Sequence, residues 1–150
     1  MDTPHEAVER LVLRYAELVD AGDFAGVGDL FAGATYRAVV GDGVAVFEGA
    51  QVAGLLESMV QRHEDGRPGT RHVVTNLVVD VDRSGDTATA RSTFTVFQAR
   101  PGFPLQAIAV GRYDDRFERT TDGWRFADRL ITTELTGDVR HHLEGNPFET

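Results

Sequence analysis

Asp20 and His72 are the two residues of this chain best suited to chemistry. A carboxylate beside an imidazole makes a general base: the acid fixes the ring tautomer and stabilises the imidazolium that forms when the base takes a proton. Asp20 falls at the end of an amphipathic stretch, where a helix dipole disfavours an anion, so it needs a cationic or hydrogen-bonding partner. His72 opens a β-branched run, Arg71-His72-Val73-Val74-Thr75-Asn76. On a strand, Thr70, His72, Val74, Asn76 and Val78 share one face, and that mixture of polar and apolar groups suits a pocket wall. The plain alternatives are a solvated aspartate and a histidine satisfied by a backbone carbonyl. Arg129 alternates with Ala127 and Ile131, which points it to an enclosed face or to a pair with one of the many acids. Tyr15 lies about 140° from Asp20 around an ideal helix, so the two can face one cavity only from its two sides.

These residues need elements to hold them. Thr3-Pro4-His5-Glu6 reads as a capping box, and Val8, Leu11, Val12, Tyr15, Leu18 and Val19 form one helical stripe that stops at Gly22. Asp23 to Phe31 reads as a short second helix and Ala50 to Arg62 as a third. Thr35 to Val40 and Val44 to Phe47 flank Gly41-Asp42-Gly43 as a hairpin. Four long strands follow: Thr70–Val81, Thr87–Gln98, Leu105–Arg119 and Trp124–Glu134, with Arg100 to Pro104 as a loop. Helices first and an antiparallel meander after is an α+β layout. Residues 1–136 read as one domain and 137–150 as a polar C-terminal tail containing His141, His142 and Pro147.

Composition narrows the function. With no cysteine, thiolate nucleophiles, disulfides and cysteine-ligated metals are excluded. All 15 basic residues are arginine, so there is no Schiff-base lysine. A net charge of -9 disfavours nucleic acid and anionic membranes as partners. No apolar stretch is long enough to span a membrane and no signal peptide is visible, so a cytoplasmic location is expected. No metal-binding spacing such as HExxH appears, nor a P-loop, GxSxG or GxGxxG motif, and no metal or cofactor is expected.

The segments Tyr15-Ala16-Glu17-Leu18-Val19-Asp20-Ala21-Gly22-Asp23, Phe47-Glu48-Gly49, Arg71-His72-Val73-Val74-Thr75-Asn76, Gly111-Arg112-Tyr113-Asp114-Asp115 and Asp122-Gly123-Trp124-Arg125-Phe126 together resemble the SnoaL-like group of the NTF2-like superfamily. The resemblance implies a cone, a curved and mostly antiparallel sheet wrapped on helices around an apolar cavity, often as a homodimer packed sheet to sheet. It is closest to scytalone dehydratase, hexachlorocyclohexane dehydrochlorinase and bile-acid 7α-dehydratase. On that likeness Asp20, His72, Tyr15 and Arg129 are the catalytic set; Tyr36, Phe94 and Tyr113 are the substrate-binding candidates among the aromatic residues. The implied activity is cofactor-independent elimination or isomerisation of a small, largely apolar cyclic molecule. A non-catalytic binding or dimerisation module, and the small subunit of a ring-hydroxylating oxygenase, are the alternatives on the same fold.

Overall fold

The computed structural model describes residues 1–145. Helix α1 (Pro4–Ala21) begins as expected: the Glu6 carboxylate accepts from the Thr3 amide at 2.7 Å, and Thr3 Oγ1 accepts from the Glu6 amide at 3.2 Å. It ends at Gly22, whose φ of 74° supplies the left-handed cap. A side chain there would also collide with the Gly66 carbonyl, 2.3 Å from an added Cβ. Helix α2 (Phe24–Leu30) is capped by Asp23. Strands β1 (Thr35–Val40) and β2 (Gly43–Glu48) form the hairpin, and helix α3 (Gly49–Met59) follows. That last helix stops earlier than its apolar spacing predicts. Val60 turns extended and bridges Leu143, so a partner distant in sequence ends the helix.

Strands β3 (Thr70–Val81), β4 (Thr87–Arg100), β5 (Phe103–Thr120) and β6 (Gly123–Thr136) form the meander. Arg100 pairs with Phe103, so the expected Arg100–Pro104 loop is a two-residue turn at Pro101-Gly102. Proline presets its own φ and Gly102 takes φ 74°. All six strands make one sheet, ordered β2-β1-β6-β5-β4-β3, with β1 parallel to β6 and the other pairs antiparallel. The hairpin therefore extends the meander, and β3 is left as a free edge.

The sheet bends around the helices by means of bulges. One corrects the expected alternation of β3: Asn76, at φ 53°, and Leu77 drop out of register between Thr75 and Val78. His72 and Val74 oppose Val96 and Phe94 on the concave face, but beyond the bulge it is Val79 and Val81 that face inward, opposite the buried Ala90 and Ala88. Val78 moves outward, opposite Arg91. The α1 stripe of Val8, Val12, Tyr15, Leu18 and Val19 is buried with Phe24, Phe31, Val52, Phe117 and Phe126 in one core. Each such side chain contributes about 1.5–3 kcal/mol by leaving water.

Residues 137–145 are packed down as well. Val139 and His142 are buried, and the segment is held by hydrogen bonds from Gln61 and Gln98. The rest of the tail, Pro147 included, lies outside the described residues.

Gly111 marks the point where the sheet is most crowded. An added Cβ would sit 2.1 Å from the Thr132 carbonyl and 2.6 Å from the Phe94 ring. Gly111→Ala is expected to lower unfolding stability by about 1–3 kcal/mol through overpacking, read as a shifted urea midpoint.

Candidate active site

Asp20 occupies the last turn of α1 with no basic residue nearby on the helix. Its rescue comes from β3. Oδ1 contacts His72 Nδ1 at 2.6 Å and accepts from Thr70 Oγ1 at 2.9 Å, while Oδ2 accepts from the His72 backbone amide at 2.8 Å. Burial alone would raise the Asp20 pKa, but the His72 and Thr70 contacts outweigh it and hold the carboxyl below its ordinary value. An ionised carboxylate only accepts, so neutral His72 carries its proton on Nδ1. Nε2 is left as the basic nitrogen, without a hydrogen bond among the described residues. The His72 side chain is 8% exposed. The dyad borders an open groove of about 410 Å³ between α1 and the free edge of β3, with Leu13, Ala16, Ala21 and Val74 as its apolar surface.

Arg129, Tyr15, Tyr36, Phe94 and Tyr113 form a second cluster deeper in the cone. Arg129 is fully buried and bidentate on Asp115, with Nε and Nη2 at 2.7 and 2.9 Å. Its guanidinium lies 3.7 Å from the Tyr113 ring centre and 4.5 Å from that of Tyr15. Tyr15 and Tyr36 share a 2.7 Å hydrogen bond between their hydroxyls, and Phe94 stacks on Tyr113. Burial works against both charges of the ion pair. For Arg129 the Asp115 carboxylate more than compensates and holds the guanidinium above its usual pKa; for Asp115 burial outweighs the attraction and raises it. Burial also raises all three tyrosines, which keeps them protonated donors.

The groove at the dyad is not lined by this cluster, so the four expected catalytic residues divide into a groove pair and a buried pair. The two are electrically linked: the Asp20 charge is among the causes raising Tyr15 and Tyr113. Nη1 of Arg129 is buried without a partner among the described residues.

One site neighbour was set aside in the sequence as part of a tail. His142 is buried with its ring centre 6.4 Å from that of His72, and its Nδ1 has no partner among the described residues. Nothing local marks this residue. Its position depends on Gln61, which donates to the Arg140 and Leu143 carbonyls, on the contact between His63 Nε2 and the His141 carbonyl, and on Gln98.

Comparison with known proteins bears on the family and the fold. The model of the SnoaL-like domain matches residues 3–130. The chain belongs to the SnoaL-like domain family. Among solved structures, an NTF2-like protein with a cystatin-like fold from Novosphingobium aromaticivorans is similar at 29% identity and TM-score 0.69, over 87% of this chain and 81% of that one. A protein of the same organism provisionally named scytalone dehydratase shares the fold at 21% identity and TM-score 0.67, over 89% and 86%. So does the β subunit of a provisionally named aromatic-ring-hydroxylating dioxygenase from that organism, at 18% identity and TM-score 0.67, over 91% and 93%. No curated protein matches the chain. Among the described residues no helix is long and apolar enough to cross a membrane, and no group of three or more acidic or histidine side chains is placed to hold a metal. His142 lies beyond the matched part of this SnoaL-like chain.

Burial, with the charges of His72 and His63 and against that of Asp20, pushes the His142 pKa down to about 4. The unfolded chain takes up this proton below about pH 6.5, whereas the native state resists it. The stability that neutral His142 supplies is therefore complete above that pH and lost as pH falls toward 4, a change of about 3 kcal/mol. Urea titrations across this range should show the loss in the native sequence and a flatter profile in His142→Phe. Asp20, held below its usual value, adds its own loss at still lower pH.

Proposed function

We propose that this SnoaL-like protein is a cofactor-independent lyase or isomerase acting on a small cyclic substrate, with His72 as the base. The observation that carries the reading is the 2.6 Å contact of Asp20 with His72 Nδ1, which leaves Nε2 unbonded at a groove. The substrate C–H proton passes to Nε2. In an elimination its electron pair forms a new double bond and the leaving group departs with its bonding pair; in an isomerisation the pair is delocalised onto a carbonyl oxygen as an enolate, and the imidazolium returns the proton to another carbon. Asp20 stabilises the imidazolium. Tyr15 and Arg129 support charge developing in the site from the buried layer beneath, Arg129 through its unpartnered Nη1. Tyr36, Phe94 and Tyr113 hold that layer in place. The dehydratase name of one structural neighbour agrees with this chemistry, and the fold it shares allows it.

Assembly as a homodimer through the convex face of the sheet belongs to the same reading. Val73, Thr95, Val110 and Leu135 pair in one row across β3, β4, β5 and β6. Val73 is 38% exposed and Leu135 66%. A second copy would cover this row. Light scattering should give a dimer at micromolar concentration and a monomer for Leu135→Asp; a monomeric native chain would refute this assembly.

5-Nitrobenzisoxazole tests the base directly. Abstraction of its ring C–H proton breaks the N–O bond and releases a coloured nitrile phenolate. Turnover should fall about 10²–10⁴-fold in His72→Ala. It should fall less in Asp20→Asn, where the base remains with poorer orientation. Full activity in both variants would leave a binding module as the function.

A further inference from the structure

We propose that the groove beside the dyad takes a ring compound bearing a carboxylate, anchored by Arg71 and Arg67. This deepens the reading of His72 as the base and rests on it for the atom presented to Nε2.

Both arginines line the groove that Asp20 and His72 border. Arg71 directly precedes His72 on the free edge strand, and Arg67 lies in the loop leading into it. Neither forms an ion pair with a described carboxylate, although most arginines of the chain do. A third arginine without such a pair, Arg100, lies at the same end: its Cδ is 3.1 Å from where a Cβ on Gly69 would stand.

The two acids that line the groove have other partners. Glu17 lines the groove but binds Arg14 at 3.2 Å. Asp20 is taken up by Thr70 and His72, and Asp65 accepts the backbone amide of Arg67. Neither Arg67 nor Arg71 is paired with these carboxylates among the described residues. A guanidinium fork matches a carboxylate in both shape and charge, more closely than it matches a neutral oxygen. In the same groove Leu13, Ala16 and Val74 offer an apolar seat for the ring that carries it. A carboxylate held at the rim thus places the adjoining ring carbons over His72.

Benzoate and its neutral isostere benzamide are the probes, followed through the His72 ring signal in NMR. Benzoate should bind saturably and benzamide about tenfold more weakly or not at all. Arg71→Gln should weaken benzoate about fivefold to tenfold, and the double variant with Arg67→Gln further, while benzamide is unchanged. Raised salt should weaken benzoate only. Both side chains are exposed, so an unaltered thermal midpoint will show that the fold is intact. Equal binding of the two probes, no saturable benzoate binding, or benzoate binding indifferent to both arginines would overturn the proposal. Arginine-dependent benzoate binding together with full turnover of 5-nitrobenzisoxazole by His72→Ala would uphold the anion site and remove the base, so the two readings fail separately.

Discussion

A carboxylate at the C-terminal end of a helix is in the wrong field, and the structure is organised around correcting that at Asp20. Thr70 and His72 supply three contacts to it from the first residues of β3. These contacts join the end of the first helix to the free edge of the sheet. They also orient the imidazole, and they make the aspartate a stable anion in spite of its burial. The same hydrogen bonds therefore fix the chain and the imidazole together. Solvation of Asp20 would have met the electrostatic need without orienting anything.

Beneath the dyad lies a second solution to a buried charge. Asp115 and Arg129 satisfy one another in a bidentate pair between aromatic faces. Such a pair is weak evidence for added stability, because desolvation offsets its attraction. Its value lies in direction. A fixed guanidinium and three protonated phenols give the cone a polar interior whose field does not depend on mobile side chains. The division between a dyad at the groove and an arginine in the core follows the angle between Tyr15 and Asp20 on α1. One helix presents them to different neighbours, the inner sheet face and the edge strand.

The elements were largely legible in the sequence because their signals are local. The capping box at Thr3, the Gly22 stop, the period of Val8 to Val19 and the β-branched run from Thr70 each need only nearby residues to act. The pairing of Asp20 with His72 was legible only in part: an anion at a helix end is met either by water or by a partner, and the fold resemblance indicated His72 as that partner. The bulge at Asn76 was not, since any residue of β3 can be placed in either phase until β4 sets the register. The end of α3 was missed for a similar reason. Val60 extends to meet Leu143, and helical spacing carries no information about a contact from so far along the chain.

What the sequence by itself determined was chemistry and type of element: an acid and an imidazole, no thiol or lysine, three helices followed by long strands. Only the tertiary structure decided which groups meet. It laid β1 parallel to β6, folded His142 against His72, locked Arg129 onto Asp115 and left Arg67 and Arg71 beside the groove. The physical reason is common to all four. Secondary structure follows from hydrogen bonds and periodicity within a few residues, whereas a charge finds its partner only after packing has fixed which surfaces are closed to water.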